Sequence, residues 1–159
     1  MSYNILKAKV DQFFAAKNIA VFGVSQKEVN APANANFKKL EQAGFHAIPI
    51  NPNYTEFKEQ TSYASVAEVP GGVEAALIFT HPKVTAEVVQ QCIDSGVQSI
   101  WIHHGMGPGS QSREASQILQ DHPEVNFIDG ACPMMFIPGA DWFHRGYKNI
   151  LKWTGGLPA

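Results

Sequence analysis

Ile19-Ala20-Val21-Phe22-Gly23-Val24-Ser25 is the stretch that settles the architecture. Its opening apolar residues run without polar alternation, the pattern of a strand covered on both faces, and Gly23 then permits a tight turn. Upstream, Ile5, Leu6, Val10, Phe13 and Phe14 recur at helical spacing, which predicts an amphipathic helix between residues 4 and 17. Downstream, after a polar loop, residues 36–43 read as a helix stopped by Gly44, and residues 46–50 as a second strand. Pro49 has no ladder donor, so it is expected near the end of that strand.

Further along, residues 54–72 give a weaker pattern, with a short helix expected near Ser65 to Glu68. Residues 75–79 predict a third strand. Residues 83–94 carry Val84, Val88, Val89, Cys92 and Ile93 on one side of a helix that Gly96 closes. A fourth strand (97–102), a helix (112–119), a fifth strand (125–128) and a last helix (142–153) before Gly155-Gly156 complete the chain. Strands alternating with helices pair in parallel through right-handed crossovers. The expected fold is therefore α/β: a Rossmann-like, doubly wound, five-stranded parallel sheet in three layers, with extra N- and C-terminal helices. One domain is expected to span residues 1–159.

The totals exclude several classes. With 159 residues, 45% of them hydrophobic, and a formal net charge of -2, the chain lacks the clustered basic charge that nucleic acid requires. No apolar run is long enough to span a bilayer. Met1-Ser2-Tyr3-Asn4 does not have the basic-then-apolar layout of a secretory signal. Two cysteines, Cys92 and Cys132, are too few for a disulfide scaffold, so a cytoplasmic setting is expected.

In a doubly wound sheet, ligands bind beyond the carboxyl ends of the strands, where strand order reverses. Here those ends read Gly23-Val24-Ser25-Gln26-Lys27, Asn51-Pro52-Asn53, Thr80-His81-Pro82-Lys83, His103-His104-Gly105-Met106-Gly107 and Asp129-Gly130-Ala131-Cys132-Pro133. Gly admits a ligand close to the backbone, and Pro makes a rigid wall with no unpaired N–H. A dinucleotide fingerprint would read G-x-G-x-x-G, with an acid about 20 residues later for the ribose. Gly23 is instead followed by Ser25, and the second strand ends in Asn51. These residues argue against NAD.

Taken in order, Ile19 to Ser25, Ala31-Pro32-Ala33-Asn34, Gly44 to Pro52, Phe79-Thr80-His81-Pro82, Trp101-Ile102-His103-His104-Gly105 and Cys132-Pro133 form a series. That series resembles the bacterial and archaeal CoA-binding domain proteins, a family similar to the N-terminal domain of the succinyl-CoA synthetase alpha subunit. The resemblance implies coenzyme A as cofactor, and coenzyme A or an acyl-CoA as partner. It implies that Gly23, Val24 and Ser25 with Lys27 meet the pyrophosphate. Asn51, Pro52 and the loop Phe79, Thr80, His81 and Pro82 would flank the adenosine. His104, Gly105, Cys132 and Pro133 would line the route to the pantetheine arm. The family often has basic residues where this chain has Ala31, Thr80-His81 and Met134, and Lys27 and Lys83 are the cations that could compensate.

No paired nucleophile and base and no metal-ligand cluster is evident, so no catalytic or metal residue is assigned and a binding module ranks first. Two other readings stay open. One is a small enzyme acting on an acyl-CoA or nucleotide through Cys132 or His104. The other is a nucleotide- or redox-sensing adaptor. Adjacent in an extended chain, His103 and His104 face opposite sides and do not share a metal readily. The tail from Asp141 to Lys148 is expected to be a docking helix, covering a sheet edge or meeting a partner in a homodimer.

Overall fold

The computed structural model describes residues 3–107, 109–139 and 142–156. The readings placed on Met1-Ser2 and Asp141 lie outside the described residues. The chain runs α1 (Tyr3–Phe13), β1 (Asn18–Phe22), α2 (Pro32–Gln42), β2 (His46–Ile50), β3 (Glu56–Phe57), β4 (Gln60–Thr61) and a 3-10 turn (Val66–Glu68). It continues with β5 (Ala75–Ile78), α3 (Pro82–Asp94), β6 (Ser99–Ile102), α4 (Arg113–Gln120), β7 (Asn126–Asp129), a 3-10 turn (Pro133–Met135) and α5 (Trp142–Thr154). Five strands form one parallel sheet in the order β2-β1-β5-β6-β7. This is the expected doubly wound architecture, and its order reverses between β1 and β5.

Alternation along each strand divides the core into two layers. Ile19 and Val21 of β1 pack with Leu6, Val10 and Phe13 of α1 and with Phe37 and Leu40 of α2. Tyr147 and Leu151 of α5 pack against the same cluster. Ala20 and Phe22 face the other way, toward Val89 and Cys92 of α3 and Ala115 and Leu119 of α4. Trp101 anchors the first layer edge-on to Phe13 at 5.4 Å, and its indole N–H donates to the Gly130 carbonyl at 2.9 Å. A buried indole needs such a partner.

Two local features differ from expectation, and the placement of Pro49 meets it. Helix α2 starts at Pro32, a turn earlier than the sequence pattern indicated. Proline suits the first helical position because its missing N–H has no intrahelical use there. Asn34 and Asn36, both weak helix formers, masked that turn. Pro49 is the penultimate residue of β2, near the strand's end as expected, and it is further tolerated because β2 is an edge strand paired only with β1 in the sheet. The stretch before the expected short helix holds a two-stranded hairpin, β3–β4, turned by Lys58 and Glu59 with φ of 47° and 65°.

Candidate functional site

Three adjoining cavities run along the carboxyl edge of the sheet. The first, of about 390 Å³, lies over the strand-order reversal between Phe22-Gly23, Asn51-Pro52 and Phe79, with Val84 and Glu87 of α3 behind. The middle one, of about 400 Å³, shares Gly23, Phe79, Thr80 and His81 with the first and adds Glu28, Pro32 and His103. The third, of about 270 Å³, shares Pro32 and His103 with the middle one and is closed by Asn36, Cys132 and Met134. Through these shared residues the three cavities adjoin one another along the edge. Pro32 and Pro82, the first residues of α2 and α3, both line the middle one. Two helix N-termini therefore bring partial positive charge to the same place.

The near wall depends on two close fits. Gly23 has φ +91°, and a Cβ placed there would lie 2.8 Å from the Phe79 carbonyl oxygen, so the backbones of the β1 and β5 ends touch because Gly23 has no side chain. The following loop is held by Asn34, which is 6% exposed. The Asn34 Oδ1 accepts from the Ser25 N–H at 2.9 Å, and Nδ2 donates to the Ser25 carbonyl at 2.7 Å and the Glu28 carbonyl at 3.1 Å. Asn51 braces the same loop, donating from Nδ2 to the Val24 carbonyl at 2.7 Å while its Oδ1 accepts from the Asn53 N–H at 2.9 Å. The Ser25 hydroxyl, then the backbone N–H groups of Gln26 and Lys27, hold the Tyr54 phenol below its usual range. Within this loop the Ser25 N–H is committed to Asn34, and the Glu28 N–H to the Ser25 hydroxyl at 2.9 Å.

Where the middle and third cavities meet, His103 is 7% exposed and lies across the Phe79 ring. Burial, then the neighbouring His104, pushes its pKa down to about 4, so the imidazole is neutral at pH 7. Asn36, 2% exposed, donates from Nδ2 to the Pro32 carbonyl at 2.9 Å, while its Oδ1 is buried without a hydrogen-bond partner. An orphaned buried acceptor of this kind costs about 1–3 kcal/mol. Cys132 is half-buried in the cavity wall, whereas Cys92 is enclosed in the second core layer, where burial raises its thiol to about 12.

Of the residues expected at a site, the structure gathers Gly23, Asn51, Pro52, Phe79, Thr80 and His81 at the first cavity. Pro82 joins at the middle one, and Gly105 and Cys132 at the third. Val24 is buried in the first core layer, Pro133 is buried, and Ser25 and Lys27 line none of the three cavities. His104 faces a separate cavity with Gln111 and Asp129. His103 and Asn36 escaped the sequence reading. For His103 a signal existed: it shares parity with Trp101, which places it on the α2 side. Among the described residues no group of three His, Cys, Asp or Glu side chains is arranged to hold a metal ion, and no helix is long and apolar enough to cross a membrane.

Comparison with known proteins adds a family. The family described as CoA binding domain matches residues 17–138. Acetate–CoA ligase (ADP-forming) II of Archaeoglobus fulgidus is 32% identical over 87 residues, covering 54% of this chain and 13% of that protein. The alpha subunit of acetate–CoA ligase (ADP-forming) II of Pyrococcus furiosus is 32% identical over 95 residues, covering 58% and 20%. This chain therefore spans a fifth or less of the length of these two curated relatives. A solved structure of a hypothetical protein from Pyrococcus horikoshii superposes with a TM-score of 0.71 at 26% identity, covering 91% of each chain.

Proposed function

The chain belongs to the CoA binding domain family, and from that premise we propose that it binds coenzyme A or an acyl-CoA along the carboxyl-edge cavities, as a binding module without chemistry of its own. The observation that carries this reading is the adjacency of the three cavities, which share lining residues, with two helix N-termini at the middle one. The adenosine end occupies the first cavity, against Phe22, Pro52 and Val84, with Glu87 and Gln91 offering partners to a purine edge. Phosphates lie over the starts of α2 and α3, where the backbone dipoles favour negative charge. The pantetheine arm then extends past His103 toward Asn36 and Cys132.

The middle cavity contains Glu28 and no lysine or arginine among its described lining residues. The helix ends, with Lys27 and Lys83 on neighbouring exposed positions, supply the phosphate attraction. The affinity is accordingly salt-sensitive. A thermal-shift panel with coenzyme A, acetyl-CoA, NAD, NADP and ATP tests the reading. A ligand at 100 times its dissociation constant adds about 2.7 kcal/mol, which raises the midpoint by roughly 5 °C or more in a domain of this size. Coenzyme A and acetyl-CoA should give that rise, and a response to NAD alone would refute the proposal.

A second reading is favoured by α5, which exposes Trp142, Ile150 and Trp153 at 79%, 61% and 92%. Such a surface suits an adaptor, or a homodimer, whose contact responds to the ligand. Sedimentation with and without coenzyme A tests the homodimer: a ligand-dependent change in mass supports it, and an unchanged monomer removes it.

A further inference from the structure

Asn36 is an anomaly on stability grounds alone. Its position on α2 is 2% exposed, and an apolar side chain there would be a better helix former and would leave no polar atom unsatisfied. The amide orientation is fixed, because the Pro32 carbonyl can only accept and therefore faces Nδ2. Oδ1 is thus the atom without a partner, and Asn36 forms part of the third cavity's wall. Residues that break local rules in this way concentrate where a ligand supplies what the fold omits.

The rest of the cavity defines what can arrive there. Pro32, Ala35, Met106 and Met134 make it predominantly apolar, and no lysine, arginine, aspartate or glutamate is among its described lining residues. A charged group would be stranded. An uncharged group with an N–H or O–H donor is matched. Building on the coenzyme A reading, we propose that the Asn36 side-chain carbonyl is a specificity-determining acceptor that reads a hydrogen-bond donor on the uncharged, distal part of the ligand. Two sources bring that chemistry: an amide N–H of the pantetheine arm, or a hydroxyl on a short acyl group.

Titration calorimetry of the wild type and Asn36→Leu with coenzyme A, butyryl-CoA and 3-hydroxybutyryl-CoA tests the proposal. The substitution removes the acceptor and keeps the bulk. Affinity should fall about tenfold, while the ligand-free melting temperature holds or rises because the orphan is gone. A fall common to all three ligands assigns the arm's amide, and a fall confined to 3-hydroxybutyryl-CoA assigns the acyl hydroxyl. Asn36→Ala, measured alongside, covers the case in which leucine does not fold. Binding of all three ligands within twofold of wild type by a folded variant overturns the inference and leaves the coenzyme A reading standing. A wild type that binds none of the three overturns both.

Discussion

The His103 imidazole lies tilted by 33° across the Phe79 ring, with centroids 4.7 Å apart, at the junction between the middle and third cavities. This contact joins the ends of β5 and β6 and keeps a titratable ring out of water. In the unfolded chain a histidine titrates near 6.5, and in the fold burial holds His103 at about 4. Between those values the unfolded chain binds a proton that the folded chain does not. Stability is therefore complete above about pH 6.5 and falls as pH drops toward 4, by up to about 3 kcal/mol. Urea unfolding of wild type and His103→Gln at pH 7.5 and 4.5 should show a steeper loss for wild type. Parallel losses would mean that His103 is not the group responsible.

Gly23→Ala should damage both the fold and the cavities. The new Cβ would meet a backbone atom, the Phe79 carbonyl oxygen, at a φ that L residues rarely adopt. A cost of about 1–3 kcal/mol is expected from the strain, read as a lower denaturant midpoint. Coenzyme A affinity should fall with it, since Phe79 lines two of the cavities.

The clamp at Asn34 depends on its donors more than on its acceptor. Asn34→Asp keeps an oxygen for the Ser25 N–H but turns a second oxygen toward the carbonyls of Ser25, Glu28 and Val29. A loss of about 1–3 kcal/mol is expected at neutral pH, with faster amide exchange across residues 25–29. Wild-type exchange in the variant would show that the loop holds itself.

Much of this molecule was legible before its coordinates. The strands are unbroken apolar runs such as Ala75–Ile78, and glycines such as Gly44 and Gly96 mark helix ends by their left-handed φ. The β3–β4 hairpin was not legible, because its turn uses Lys58-Glu59 where Asn-Gly would have announced it. The site was half legible. Turn residues at strand ends pointed to the carboxyl edge, where three of the cavities lie, but which of two adjacent histidines lines them depends on strand parity carried past Ile102. The significance of Asn36 depends on packing: a polar residue in a helix means nothing until its partners are counted.

The hairpin gives a stability prediction independent of any ligand. Glu59 is exposed at φ +65°, so Glu59→Gly relieves a left-handed strain greater than the flexibility it adds. A gain of about 0.5–1 kcal/mol should appear in thermal unfolding, whereas a loss would indicate that the Glu59 side chain stabilises the turn.

A further cavity, of about 400 Å³, lies at the opposite edge of the sheet, around Asn18, His46, Gly71 and Gly72. It makes the location of binding directly measurable. In a nitrogen-15 correlation spectrum titrated with coenzyme A, the amides of Gly23, Thr80, His81 and His103 and the side-chain amide of Asn36 should shift together. Shifts confined to Asn18, His46, Gly71 and Gly72, or an unchanged spectrum at millimolar coenzyme A, would contradict the placement of the ligand at the carboxyl edge.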